Sequence, residues 1–288
     1  MVGRHEVNVS NPDKVFFPKR KLSKIDLVQY YVDVAPCALP HLRRRLFHMK
    51  RFPNGVDSDF FHQKRVPEIE KPDYLLIDLD PSRDGQWPYV REIALVVREV
   101  MDELGLKSFP KTSGSTGLHV LAPIRPELAF PEVRRLAKAL AQEVERRIGD
   151  QEVATTTWKV ADRRGVFVDY GQNARDRTIA SAYSIRPTPD ARASAPLDWE
   201  EVHAVRPERF TLTTMPKRID EVGDLTKGMW RYKRSLIPLF PTLGLEPADP
   251  SKVDSGRRRG RAQRWESDQS GSRSGGRPRR ASRSDPGG

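Results

Sequence analysis

The chain has 288 residues, with 51 Lys and Arg against 39 Asp and Glu, a net charge of +12. That length holds one large domain or two small ones with a real core, and the basic balance suits a polyanionic partner while saying nothing of fold. The single cysteine, Cys37, excludes an intrachain disulfide and a cysteine-built metal site, and no apolar run approaches the length of a membrane span.

The charge is uneven. From Ser251 onward, ten Arg and one Lys face four acidic residues, a net of +7 that leaves only +5 for residues 1–250. A nucleic-acid site in the first 250 residues must therefore come from placement of charge rather than gross excess. The opening residues, MVGRHEVNVSNPDK, lack the apolar core of a signal peptide. With one cysteine, they make a cytoplasmic protein the expectation.

In chain order, "KIDLVQYYVDVAPCAL" (24–39) has helical spacing with Ser23 as N-cap. "RLFHMKRFPNG" predicts a strand closing on a turn. "YLLIDLDPS" (74–82) predicts a strand from Tyr74 to Leu79. Apolar residues at 90, 93, 97, 100, 101 and 104 predict an amphipathic helix from Trp87 to Leu104 that Gly105 ends. "GLHVLAPI" (117–124) reads as a strand, and Pro131 opens a helix to Ile148, stopped by Gly149. "VFVDYG" (166–171) is a further strand. Strands alternating with long helices predict a helix-covered sheet. Residues 249–288, rich in Ser, Gly and Arg, bury too little to offset their ordering entropy and are expected to be a disordered tail. The globular domain is then 1–248. No internal repeat is present.

The chemistry begins with Asp78 and Asp80. Two apart on a strand, they share a face, and carboxylates forced together raise one pKa unless a positive group intervenes. Asp169 likewise ends an apolar run. Three strand-borne carboxylates suit one or two divalent cations, and such cations clamp the reacting oxygens of phosphoryl transfer. The plainer alternative makes Asp80-Pro81 a turn signal. "KTSGSTGLHV" (111–120) adds a Ser/Thr/Gly loop whose backbone N–H groups suit an anion, with His119 two residues into the next strand. Alone, the loop reads equally as a Gly-rich hairpin and His119 as a core histidine. The three features in this order are much harder to obtain by chance.

"DLDPS", "KTSGSTGLHV", "FVDYGQNARDRTIASAYSIRPTPDARASAPLDW" and Gly223-Asp224 together resemble the polymerase domain of the bacterial non-homologous end-joining ligase D family, within the archaeo-eukaryotic primase superfamily. The resemblance runs from about Asn8 to about residue 245. It implies an α/β (α+β) fold: a primase-like mixed sheet with flanking helices, bearing an RRM-like catalytic module. It makes Asp78, Asp80 and Asp169 the catalytic, metal-binding triad. Lys50, Ser113, Thr116, His119, Gln172 and Arg186 fall at nucleotide-pocket positions, and Asn11, Lys14 and Lys24 where the family grips a DNA 5′-phosphate. The implied activity is metal-dependent addition of ribo- or deoxynucleoside triphosphates to a primer 3′-OH at DNA breaks or gaps. Manganese is the implied cofactor, with magnesium as the alternative. The implied partners are DNA ends, a Ku-type end-binding protein and a DNA ligase in trans, at the nucleoid.

Two departures stand out. Relatives often carry Lys where this loop has Thr116. They also place several dozen residues, including a helix and an active-site histidine, between "FFHQKRVPEIE" (60–70) and "KPDYLLIDLDP", where this chain has none. A shortening beside the acidic strand is expected to expose apolar surface and loosen the pocket. It motivates a second reading, a catalytically weakened paralogue that binds DNA ends. An unrelated metal phosphoesterase is a third, disfavoured by the motif order. The tail, with Trp265 for base stacking, reads either as a DNA arm or as a solubilising extension.

Overall fold

The structure, a computed structural model, describes residues 6–43, 45, 47–65, 71–175 and 177–246. The expected tail at 249–288 and Trp265 lie outside the described residues. Among those described, no helix is long and apolar enough to cross a membrane.

A short hairpin, β1 (Val15–Phe17) and β2 (Leu22–Ser23), leads into α1 (Lys24–Leu42). Ser23 caps α1 as its spacing predicts: its Oγ accepts from the Asp26 backbone N–H and the Asp26 carboxylate accepts from Ser23 N–H, a reciprocal capping box. The helix runs three residues past the predicted end, through Pro36 and Pro40. An interior proline costs about 3 kcal/mol. Burial of Tyr30 and Val34 on the inner face offsets this, as does the Tyr30 hydroxyl, which donates to Tyr183 O at 2.7 Å.

Next come β3 (Phe47–Arg51) and β4 (Phe61–Arg65), an antiparallel pair forming a sheet of its own. The sequence reading supplied β3 alone, because "FHQKR" has no apolar alternation and is a strand only through its partner. Met49, Phe60 and Phe61 on this hairpin are exposed.

The main sheet has five strands in the order β6-β7-β5-β9-β8. Its members are β5 (Tyr74–Asp80), β6 (Phe109–Thr112), β7 (Leu118–Pro123), β8 (Ala154–Thr155) and β9 (Val166–Asp169). Strand β5 is central and antiparallel to both neighbours, whereas β8 runs parallel to β9. Pro110 had hidden β6 from sequence reading. Proline belongs on edges, and β6 is an edge strand, partly covered by hydrogen bonds from Thr112 N–H to Ala195 O and from Leu197 N–H to Pro110 O.

Two helices, α2 (Trp87–Glu103) and α3 (Phe130–Ile148), flank the sheet. Val90, Ile93, Ala94, Val97, Val100 and Met101 of α2 and Val133, Leu136, Leu140 and Val144 of α3 are buried at helical spacing. They share one core with Leu75, Ile77 and Leu79 of β5 and Leu118 and Val120 of β7. Each large aliphatic side chain so buried contributes about 1.5–3 kcal/mol. Gly105 and Gly149 follow the two helices with φ of +69° and +72°, as their positions predict. Short helices α4 (Met215–Val222) and α5 (Leu239–Thr242) follow.

Leu76, Asp78 and Asp80 alternate onto the opposite face of β5. There Leu76 joins a small cluster with Leu121 and Met229, and beyond it the face turns polar. Strand β9 stops at Asp169, two residues short of the predicted end, and Gly171–Asn173 form a 3-10 turn. The side chain of Asn173 continues the missing ladder. Its Oδ1 accepts from Leu76 N–H at 2.9 Å and its Nδ2 donates to Leu76 O at 2.7 Å.

Replacing Asn173 with Ala leaves a buried N–H and C=O of the central strand unpaired. At about 1–3 kcal/mol per orphaned group, Asn173→Ala is expected to destabilise the protein by roughly 2–4 kcal/mol, read as a lower midpoint in urea with unchanged slope.

Candidate active site

Sheet register assembles the site. Lys111 on β6 pairs with His119 on β7, His119 with Asp78 on β5, and Asp78 with Asp169 on β9. Directly paired residues place their side chains on the same face. Four strands therefore contribute one rung of charge, lysine and histidine on one side and two aspartates on the other. All four residues are buried, none more than 8% exposed. Asp80, one pleat along from Asp78, adds a third carboxylate.

The three aspartates each bring an oxygen to within 4.8 Å of the others. With so much negative charge out of water, Asp80 is pushed up to about 7, by burial first and then by Asp78 and Asp169. Burial also raises Asp169, against hydrogen bonds that favour its charge. Gly171 N–H donates to Asp169 Oδ1 at 2.5 Å and Gln172 Nε2 to Oδ2 at 3.1 Å. Asp78 Oδ1 is buried without a hydrogen bond. The His119 Nε2 atom lies 3.2 Å away, at ion-pair distance but off the hydrogen-bond direction. An unsatisfied buried carboxylate oxygen beside two more carboxylates fits a hard divalent cation.

The 111–120 motif forms the β6–β7 hairpin, so the Gly-rich-hairpin reading and the site reading describe one object. Ser113 Oγ accepts from the N–H groups of Ser115 and Gly117 at 3.2 and 3.1 Å, folding the loop on itself. The loop lies against the acidic strand: a Cβ on Gly117 would stand 2.5 Å from Leu79 O and 2.9 Å from Asp80 Oδ1. At Gly114, φ is +76° and a Cβ would stand 2.6 Å from Arg186 Cγ. Only glycine fits at either position. Arg186 therefore threads past the loop, and its Nε is buried without a partner.

The other expected positions are more dispersed. Thr116 is exposed at the loop tip. His119 points at Asp78 rather than into the loop. Lys50 lies on the separate hairpin, its ammonium 3.6 Å from the centroid of the Phe60 ring. Asn11, Lys14 and Lys24 come together at the N-terminus. Lys24 N–H donates to Lys14 O and Ile25 N–H to Pro12 O, while the Lys14 ammonium reaches Asn54 at 2.7 Å and that of Lys24 reaches Ser10 O at 2.5 Å. Asn11 takes a φ of 48° there, which asparagine tolerates better than most residues.

Sequence reading missed Lys111 as a site residue although its motif begins there. The Lys111 ammonium contacts His119 Nδ1 at 2.7 Å, Ala180 O at 2.8 Å and Ser194 Oγ at 2.7 Å. Burial lowers its pKa to about 7, with Asp78 pulling the other way. A lysine two residues before a Ser-Gly loop is ordinarily solvated surface, and nothing in the sequence marks it as buried.

The LigD primase-polymerase domain family model matches residues 23–69 and 65–226. The chain belongs to that family. The LigD match comes in two pieces that overlap at residues 65–69. The multifunctional non-homologous end-joining protein LigD of Mycolicibacterium smegmatis is 27% identical over 270 residues, covering 76% of this chain and 35% of that protein. LigD of Pseudomonas aeruginosa is 27% identical, covering 75% and 32%, and the bifunctional LigD of Bacillus subtilis 27%, covering 73% and 42%. The chain thus spans well under half the length of these curated relatives. The polymerase domain of Mycobacterium tuberculosis ligase D, solved in complex with DNA, shares the fold with a TM-score of 0.72 and 26% identity, covering 78% of this chain and 98% of that one. The primase-like mixed sheet with flanking helices is therefore the fold of this protein.

The raised carboxylates set a pH signature. Asp80 and Asp169 lie above their ordinary value of 3.8 in the fold, so folding favours their protonated forms. Their contribution to stability is complete below about pH 4 and is lost as pH rises, in the case of Asp80 through about 7. Thermal unfolding of chelator-treated protein is expected to shift down between about pH 5 and 8. Added Mn2+ is expected to raise the midpoint strongly at about pH 8 and little at about pH 5.

Proposed function

We propose that this protein is a metal-dependent nucleotidyltransferase that adds nucleotides to a primer 3′-OH at DNA breaks or gaps in non-homologous end joining. The observation that carries the reading is the buried triad Asp78, Asp80 and Asp169, with its orphaned Asp78 oxygen and the Ser113–Gly117 loop packed against Asp80. A divalent cation held by these carboxylates, Mn2+ in this proposal with Mg2+ as the alternative, supplies Lewis acidity to the attacking and leaving oxygens.

The chain's own groups do the rest. The Ser113 loop and the unpartnered Arg186 Nε offer donors for the triphosphate of an incoming ribo- or deoxynucleotide, and Arg186 is a planar, permanently charged partner for phosphate. Thr116 offers a hydroxyl where relatives often carry a cation. Gln172 and Gly171 hold Asp169 in place for the reaction, and His119 holds Asp78. Lys50, beside Phe60, completes the nucleotide pocket from the separate hairpin. Asn11, Lys14 and Lys24 grip the 5′-phosphate on the far side of a gap. A Ku-type protein and a DNA ligase act in trans. The setting is the cytoplasm, at the nucleoid, and residues 249–288 form a tail outside the 1–248 catalytic domain.

A second reading, a weakened paralogue that only binds ends, is favoured by one observation: the family model matches in two separate pieces, which overlap at residues 65–69, where β4 hands over to β5. Primer extension on gapped DNA with Mn2+ and each nucleotide pool separates the two.

Asp78→Ala, Asp80→Ala and Asp169→Ala are each expected to reduce nucleotide addition to background with gapped-DNA affinity retained. Substantial activity in the Asp169 variant would break the shared-site reading. For the 5′-phosphate, the parent is expected to prefer a phosphorylated gap. The double variant Lys14→Ala, Lys24→Ala should lose that preference and flatten the log–log salt slope of binding by about 2.

A further inference from the structure

Lys111 has no part in the function proposed above, yet it is among the most constrained polar groups in the protein. Its ammonium is 3% exposed as a residue and has three partners at 2.7–2.8 Å. Their chemistry fixes the protons. Ala180 O can only accept. Ser194 Oγ spends its own proton on Thr112 O at 2.7 Å, so it too accepts from Lys111. An ammonium has three protons and no lone pair, so the third goes to His119 Nδ1, and the histidine ring proton is left on Nε2.

The opposite arrangement is disfavoured by what lies across the ring. A neutral amine would spend its two protons on the two oxygens and turn its lone pair to a protonated Nδ1. The Nε2 lone pair would then face Asp78 Oδ1 at 3.2 Å. That oxygen is buried and has no hydrogen bond. Two electron-rich atoms would be pressed together in a site that excludes water, where unscreened repulsion is strongest.

We propose that Lys111 is a positioning residue of the acidic centre: its ammonium locks His119 in the tautomer that carries its proton on Nε2, the atom 3.2 Å from Asp78 Oδ1, and so steadies the Asp78 carboxylate electrostatically for a divalent cation. The influence runs along one rung, from β6 through β7 to β5. Lys111 is placed to touch neither cation nor nucleotide. The inference rests on the proposed function only in giving Asp78 a cation to hold.

The test uses the full chain, metal-free, with 15N-labelled histidine. Nitrogen–proton correlation spectra are expected to show His119 with Nδ1 bare and Nε2 protonated at about pH 6, where Lys111 still carries its proton. A protonated Nδ1 with bare Nε2 in the parent protein would overturn the proposal, whatever any variant does. Lys111→Met keeps the aliphatic stem and removes the donor, and is expected to mix the two tautomers and weaken Mn2+ binding by roughly 10–100-fold, the usual cost of losing an outer partner of a metal ligand. Ser194→Ala is the packing control, because it disturbs the same buried site but leaves the donor on His119. It is expected to keep the parent tautomer and Mn2+ affinity within about threefold, well inside that range. Equal loss of Mn2+ affinity in both variants would show a merely structural lysine and sink the proposal. Should Lys111→Met fail to fold, the parent spectrum still decides. Failure of the functional reading looks different: no nucleotide addition by the parent, with tautomer and Mn2+ responses as expected.

Discussion

The rung Lys111–His119–Asp78–Asp169 is the constraint on which the rest of the structure depends. Two carboxylates brought together in a dry sheet face repel, and Asp80 one pleat away makes a third. Strand pairing alone would not tolerate this. The sheet answers with Lys111 and His119 on the next two strands, in register, so that the ring of His119 stands between the lysine and the acids at the β7–β5 seam. Buried charges of this kind persist only when paired or able to bind an ion. Here the Lys111 ammonium has three acceptors, and the acidic end has capacity left over for a cation.

That arrangement divides the labour between the two faces of β5. Leu75, Ile77 and Leu79 anchor the strand to the core under α2 and α3, where the bulk of the hydrophobic stabilisation lies. Leu76, Asp78 and Asp80 face the other way, and only Leu76 finds an apolar neighbourhood. The helical face fixes the position of the strand, and the polar face inherits a rigid geometry for the carboxylates. Loops then complete the site from above. The close approach of Gly117 to Asp80, with no room for a side chain, ties the hairpin to the acid it serves.

Much of this was legible in the sequence. The 2-residue period of "YLLIDLD" placed Asp78 and Asp80 on one face, and the 3.6 period of residues 87–104 and 131–148 located both core helices to within a residue or so. Apolar runs ending in acid identified Asp169. What escaped was whatever depends on partners distant in sequence. "FPKT" is a strand because it borders β7 and because an edge tolerates Pro110. "FHQKR" is a strand because it pairs with "FHMKR". The end of β9 at Asp169 is set by Asn173 reaching across to Leu76, an amide acting as backbone. Lys111 could not be recognised because no local pattern distinguishes a lysine fully buried beneath a loop from one on its surface.

The separation of the β3–β4 pair from the five-stranded sheet bears on how the chain tolerates changes of length. Among the described residues no backbone rung joins β4 to β5, and the pairing of β5 seen there is with β7 and β9, both encoded downstream. Residues can be gained or lost between Arg65 and Tyr74 without shifting β5 by a single step, whereas one residue inserted between Leu118 and His119 would turn the histidine away from its aspartate. Evolution thus has a seam at which this protein can be shortened. The alignment of its charges is written on the far side of it.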